Sequence, residues 1–386
     1  MLLVSASVFL AFVYAGLLLV YLKGWRATPE WVLPEGYEPR TGISVLIPAR
    51  NEADRIAACL RAIAAGSYPP SLLEIIVIDD FSDDATAAVV RQFRSGISIR
   101  LVHLSDILPA EHAMLANKKA AIEAGVALAH GPLIVTTDAD CIAPADWLRI
   151  IASRFEAGDL QLLTAPVALH REKNLLQRFQ SLDLLGLMGI TAAGMHLGFQ
   201  RMANGANLAY TKEVFENVGG YAGNRSLSSG DDMFLVQKIA RLHTSSVAFL
   251  KNPAAAVRTE AAADLRSFVQ QRIRWGTKNA ALPEWPVRLV LLAVFLFCWS
   301  IVINAVIAVP AAAAGNYLFL QLLGLQLLIK AVFDYLFLRE MCLYFGRADL
   351  LRWFVPCFLM HTAYVALIGA ASLVFRRYRW KGRRVG

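Results

Sequence analysis

Two apolar blocks constrain this chain more than any other feature. Residues 2–22 carry no charge, and long apolar stretches return over residues 289–375. A run of about twenty apolar residues is long enough to cross the hydrocarbon core of a bilayer as one helix. A soluble domain is about half apolar and about a quarter charged, whereas here 57% of 386 residues are hydrophobic and 18% charged. Lys23 and Arg26 follow the first apolar run. A cleaved signal peptide has its basic residues before that run. Residues 1–22 therefore read as an anchor, with the domain that follows it held on the cytoplasmic side. An irregular linker over 23–41, with Pro29, Pro34, Gly36 and Pro39, leads into residues 42–285, whose polar content is ordinary. That is enough chain for one α/β domain with its own core.

Within the membrane region, 286–376, three segments have membrane length: 289–309, 317–338 and 354–375. The middle one carries Lys330 and Asp334, four apart and so able to pair on one helix face. Three full crossings after a cytoplasmic domain would place the basic tail, 377–386, on the outer side, against the positive-inside tendency. The expectation is two to three C-terminal membrane helices, with the middle segment crossing, re-entrant or lying along the interface. The net charge of +8 invites a nucleic-acid reading. However, Arg376, Arg377, Arg379, Lys381, Arg383 and Arg384 directly follow the last apolar segment, which suits anionic headgroups. No aromatic-plus-basic groove motif accompanies them, so nucleic acid is not an expected partner. The five cysteines, Cys59, Cys141, Cys298, Cys342 and Cys357, show no metal-ligand spacing and read as reduced thiols.

The middle of the chain alternates. Apolar, β-branched runs at 43–47, 73–78, 97–104 and 133–137 read as buried strands, and 51–65, 83–95 and 118–130 have helical spacing. Strands alternating with helices predict an α/β domain with a mostly parallel, Rossmann-like sheet. Ligands of such sheets bind beyond the carboxyl ends of the strands. Three runs stop there at polar residues: Arg50–Asn51–Glu52 after Pro48, Asp79–Asp80, and Asp138–Ala139–Asp140.

A hard divalent ion such as Mg²⁺ takes one or two carboxylates and fills its shell with substrate phosphates. Asp138 and Asp140, just past a buried strand, have the right chemistry. Asp79 and Asp80 suit hydrogen bonds from a base or ribose, while Asp83 or Asp84 suits a helix cap. Lys118–Lys119, opening a helix, can neutralise phosphate charge. Gly230–Asp231–Asp232 precedes an apolar-periodic helix, where a pair of acids is often no more than a cap. The string Gln271-Arg-Ile-Arg274-Trp275 supplies a guanidinium for phosphate oxygens and an indole face for a sugar ring.

The ordered set SVLIPARNE, IIVIDDFSDDAT, LIVTTDADC, GANLAY, GGY with SGDDMFL, and QQRIRW resembles the family 2 inverting glycosyltransferases of the GT-A fold. The likeness is to their membrane-bound branch, which includes cellulose, chitin, hyaluronan and poly-N-acetylglucosamine synthases and ceramide glucosyltransferase. The resemblance implies a nucleotide-sugar donor, a UDP-sugar, bound by Pro48, Arg50, Glu52, Asp79, Asp80, Lys118, Lys119 and Asp138. It implies Mg²⁺ or Mn²⁺ on Asp138 and Asp140, and Asp232 as general base. Gln271, Arg274 and Trp275 would frame the acceptor and pyrophosphate, with Gly205, Asn207 and Asp231 beside donor sugar and acceptor. Many relatives have Glu-Asp where this chain has Asp231–Asp232. Residues 179–198 resemble the family's interfacial helix. So few membrane segments favour a membrane lipid or lipid-linked acceptor over the processive polysaccharide alternative. The expected setting is a bacterial cell membrane with the catalytic domain in the cytoplasm. A transporter is disfavoured by the lack of room for inverted repeats.

Overall fold

The computed structural model describes residues 1–108, 118–223, 230–279, 284–374, 378–380 and 383–385. Tail residues Arg376, Arg377 and Lys381, and the Phe375 end of the last apolar segment, lie outside these. The chain divides into two compact units, one of residues 1–27, 171–200 and 261–378, the other of residues 28–170, 201–260 and 379–386.

In chain order, the first unit opens with α1 (Leu2–Ala27). The second then runs β1 (Ile43–Ala49), α2 (Ile56–Ala64), β2 (Leu73–Asp79), α3 (Thr86–Gln92), β3 (Ser98–His103), α4 (Lys118–Leu128), β4 (Leu133–Thr136), α5 (Trp147–Glu156), β5 (Leu162–Thr164) and β6 (Val167–His170). Helix α6 (Leu175–Leu197) belongs to the first unit. The second resumes with β7 (Leu208–Thr211), α7 (Lys212–Asn217), α8 (Asp231–Leu242), β8 (Val247–Phe249) and β9 (Val257–Glu260). The first unit closes with α9 (Leu265–Asn279), α10 (Trp285–Ala313), α11 (Leu318–Tyr344) and α12 (Phe354–Val374). A two-stranded ribbon follows, β10 (Tyr378–Trp380) with β11 (Arg383–Val385).

The globular unit is built on a seven-stranded sheet in the order β3-β2-β1-β4-β7-β5-β8. Strands β1, β2 and β4 read as continuous apolar runs because both faces are covered, the usual state of parallel strands. Val45, Leu46, Ile47, Ile75, Ile76 and Val77 are all fully buried. The parallel register sets Ala49 opposite Asp79, Asp79 opposite His103, and Leu46 opposite Thr136. The carboxyl ends of these strands, and the acids after them, therefore fall along one edge. Strand β7 runs antiparallel between β4 and β5, so the sheet is mixed at that end.

Two helices start later than their periodicity suggests, because polar side chains hold the loops before them. Asn51 sits in the left-handed region (φ 52°). Its N–H donates to Ser82 Oγ (3.0 Å) and its Oδ1 accepts from the Asp83 N–H (3.0 Å). Asp84 accepts from the Thr86 N–H (2.9 Å) and from the Ala53 N–H (3.1 Å), tying the two loops together as the first helical turns begin. Asp84 thus takes the capping role.

Gly131, between α4 and β4, is pressed against backbone. A Cβ there would fall 2.8 Å from the Ser44 N and 2.9 Å from the Gly42 O. Backbone cannot step aside as a side chain can, so Gly131→Ala should destabilise by about 1–3 kcal/mol, the usual overpacking penalty. The check is a thermal melt in detergent; an unchanged midpoint would contradict that packing.

Among the described residues, the other unit holds four helices long and apolar enough to cross a membrane: α1, α10, α11 and the stretch Ala348–Ser372. Polar side chains join them, as hydrogen bonds do where no hydrophobic drive separates helix from lipid. Asn304 donates to Ser7 Oγ (3.0 Å) and to Gln326 Oε1 (2.7 Å), and Gln326 donates to Ser300 Oγ (2.8 Å). Lys330 and Asp334 form the expected ion pair, Tyr14 donates to Asp334, and His361 Nδ1 lies 3.2 Å from Lys330 Nζ. Helix α6 is packed into this unit by small residues. A Cβ on Gly189 would lie 2.8 Å from Phe337 Cζ of α11, and one on Gly24 would lie 2.9 Å from the Ala193 Cβ.

Candidate active site

Beyond the carboxyl edge of the sheet, side chains from three places in the sequence converge. Asp138 follows β4, Lys118 opens α4, and Asp231 and Asp232 open α8. Lys118 Nζ is 2.5 Å from Asp138 Oδ1 and 3.7 Å from Asp231 Oδ2. Burial alone would lower the Lys118 ammonium, but Asp138 and Asp231 outweigh it and hold it above its ordinary value.

Gly205 is what lets these groups meet. A Cβ there would lie 3.0 Å from both Asp231 Oδ2 and Lys118 Nζ. Its N–H donates to Asp232 Oδ2 (3.0 Å), and its carbonyl accepts from Thr136 Oγ1 (3.0 Å) on β4. The other Asp232 oxygen accepts from the Met233 N–H (2.8 Å). The Asp232 carboxylate is therefore aimed by backbone at both oxygens, one bond reaching across from the loop before β7.

A second polar group lies along the same edge, after β1 and β2. Asp79 is buried, and His103 Nδ1 is 3.2 Å from its Oδ2. Its Oδ1 is buried with no hydrogen-bond partner among the described residues. Such an orphaned acceptor wants a donor. Asp80, also buried, donates its N–H to the Ala49 carbonyl (2.8 Å), and its own carbonyl accepts from Arg50 (2.8 Å). Glu52 is buried to 8% exposure, its N–H donating to Thr86 Oγ1 (2.8 Å). Pro48 lies within β1, opposite Ile78.

Two residues expected on the ligand turn inward. Asn207 is fully buried. Its Oδ1 accepts from Trp147 Nε1 (2.9 Å), and its Nδ2 donates to the carbonyls of Pro166 (2.7 Å) and Ala255 (2.9 Å). Its side chain braces the loop through these three bonds. Lys119 is 1% exposed, with Nζ 4.9 Å from the centre of the Phe234 ring on α8. Of the lysine pair, it is Lys118 that reaches the acids.

Gln271, Arg274 and Trp275 lie on α9, in the unit of the membrane helices. A residue inside that string went unread in the sequence. Arg272 is buried, 2.6 Å from Asp183 of α6, with its guanidinium 4.4 Å from the Trp275 ring centre. The signal was there in QQRIRW, where an arginine one turn from the indole could only be inward-facing or solvated.

As for metals, no three His, Cys, Asp or Glu side chains converge as a cage among the described residues. Asp138 and Asp140 offer two carboxylates, the donor set of an ion that completes its shell from substrate phosphates. The residues fit a divalent ion on those terms.

A mixed α/β sheet with acids along its carboxyl edge, in a chain whose described residues include four helices long and apolar enough to cross a membrane, defines a GT-A-type domain. Residues 39–278 match the model of the glycosyltransferase-like family 2, and the chain belongs to that family. It is 24% identical over 268 residues to the beta-monoglucosyldiacylglycerol synthase of Synechocystis sp., covering 66% of this chain and 52% of that one. It is 23% identical over 321 residues to the hyaluronan synthase of Streptococcus pyogenes, covering 79% and 75%. Of two further curated relatives the chain spans 58% and 60% of the length. Among solved structures, a mannosyltransferase from Pyrobaculum calidifontis, in complex with GDP-Man and Mn²⁺, shares the fold with a TM-score of 0.60 at 21% identity, covering 95% and 96%.

Proposed function

We propose that this protein is a membrane-bound inverting glycosyltransferase that moves a sugar from a UDP-sugar to a hydroxyl of a membrane lipid. The observation that carries the reading is the convergence of Lys118, Asp138, Asp231 and Asp232 beyond the sheet's carboxyl ends, with Asp232 aimed by the Gly205 N–H. The unpaired Oδ1 of Asp79 supports a nucleotide there, since a base N–H or ribose hydroxyl supplies the donor it lacks.

In this reading Asp79, Asp80, Glu52 and Arg50 hold the nucleoside, and Lys118 meets the donor's phosphates. A divalent cation held by Asp138 and Asp140 would neutralise charge on the departing diphosphate. Asp232 takes the proton of the acceptor hydroxyl as its oxygen bonds to the anomeric carbon and the bond to the nucleoside diphosphate breaks. Gln271, Arg274 and Trp275 serve acceptor and pyrophosphate. Little covalent chemistry falls to the protein; positioning and charge stabilisation supply most of the rate. Lys23 and Arg26 support a cytoplasmic catalytic domain, where sugar nucleotides are made.

The four membrane-length helices found among the described residues can shield a groove open to lipid, which supports a lipid acceptor. The similarity to hyaluronan synthase sustains polymer synthesis as the second reading. The purified protein, given labelled UDP-sugars and membrane lipid, is expected to yield a chloroform-soluble product of one or a few sugars. A long water-soluble polymer would overturn the lipid assignment.

A further inference from the structure

The most unusual charge in the globular unit is Lys118. Its Nζ sits on Asp138 at 2.5 Å and within 3.7 Å of Asp231, with Gly205 leaving just the space it needs. Asp138 is one of only two carboxylates offered to a cation at this strand end, and without substrate that oxygen is already neutralised by the protein's own ammonium. We propose that Lys118 is a resident counter-ion that occupies the cation's place on Asp138 and makes metal entry depend on the nucleotide diphosphate. This deepens the donor-site assignment above and rests on it.

The argument is one of charge exchange. A divalent ion arriving alone must displace Lys118 from Asp138 and leave the ammonium of a partly buried side chain close to a dication, with Asp231 and Asp232 still near it. Like charges at such distances repel strongly where water is scarce. A diphosphate arriving with the ion removes the conflict, because its oxygens accept from the Lys118 ammonium while the ion takes the Asp138 oxygen. Each cation then faces an anion. By linkage, whatever factor the nucleotide adds to metal affinity, the metal adds to nucleotide affinity.

Two carboxylates alone already make a weak site that a divalent ion completes with substrate phosphates. The ammonium on Asp138 weakens it further before the nucleotide arrives. Here the geometry assigns the first cation to the chain itself.

The test is Mn²⁺ binding followed by electron paramagnetic resonance on the full-length protein in detergent, with Mn²⁺ alone and with UDP. In the wild type, UDP should tighten Mn²⁺ binding about tenfold or more, within the usual range of coupling between sites. Lys118→Met keeps the length and removes the charge. It should bind Mn²⁺ alone about tenfold more tightly than wild type and lose most of the UDP enhancement, whereas Lys118→Arg, which keeps a cation there, should not gain. Equal Mn²⁺ affinity in the wild type with and without UDP overturns the proposal without recourse to any variant. So does a folded Lys118→Met that gains nothing. Failure of the donor-site assignment looks different: UDP then fails to bind at all, with or without Mn²⁺.

Discussion

Asp232→Asn is expected to lower kcat by about 10²- to 10⁴-fold, the usual contribution of a general base, with nucleotide affinity nearly unchanged. The structure makes this substitution informative. Both carboxylate oxygens of Asp232 accept backbone N–H bonds, from Gly205 at 3.0 Å and Met233 at 2.8 Å. An asparagine keeps the shape and one acceptor oxygen for these bonds, and loses the basic charge together with the second acceptor. The loss should therefore appear in the transition state and not in ground-state binding. The measurement is kcat at saturating donor beside the UDP dissociation constant by calorimetry. A variant that binds UDP far more weakly but turns over at the wild-type rate would move Asp232 into the nucleotide site.

Much of this arrangement was legible before the structure. Strands β1, β2 and β4 announce themselves because a parallel strand covered on both faces is a short apolar run with a polar stop, and their register lines those stops along one edge. The membrane helices follow from length alone. What the sequence hid was set by contacts far apart in the chain. Strands β5, β6, β8 and β9 have three or four residues each, too few for any periodicity to show, and β7 lies inside a stretch that reads as a motif instead of a strand. Helices α2 and α3 start late because Asn51 and Asp84 hold each other's loops, a pairing that local spacing cannot report.

The site residues divide the same way. Residue type names the groups that have the chemistry, but not which way they face. Asn207 has the hydrogen-bonding capacity of a sugar ligand and spends it on Trp147, Pro166 and Ala255. Lys118 and Lys119 are identical in sequence terms, yet consecutive residues on a helix point about 100° apart, and one meets Asp138 while the other is buried beside Phe234. Helix α6, which the sequence reads as an interfacial segment over 179–198, and α9 group with the long apolar helices. Their small and buried residues, Gly189 against Phe337 and Arg272 on Asp183, find partners only after folding.

Asp140→Asn should abolish most turnover, by about 10²- to 10³-fold, comparable to losing one main electrostatic contact to a leaving group. Of the two aspartates after β4 it is the cleaner test. Asp138 also holds Lys118 at 2.5 Å, so neutralising it disturbs the ammonium as well as the cation site. Asp140 lies in the turn closed by the Cys141 N–H donating to the Asp138 carbonyl (3.1 Å), a bond that does not involve its carboxylate. Beside it, the Cys141 thiol is pushed up first by burial and then by the charges of Asp138 and Asp140, so it stays a neutral S–H donor. The asparagine keeps a side-chain oxygen that can still accept from the Cys141 thiol, so the variant is expected to fold, and its melting curve is recorded beside its activity. The readout is nucleotide release from labelled UDP-sugar at saturating Mn²⁺, with EDTA as the parallel arm. Loss of activity in both, with an unchanged melting curve, ties Asp140 to the cation. Wild-type turnover in the variant, or full wild-type activity in excess EDTA, would remove the metal from this site's chemistry and leave the leaving phosphates to side-chain cations such as Lys118.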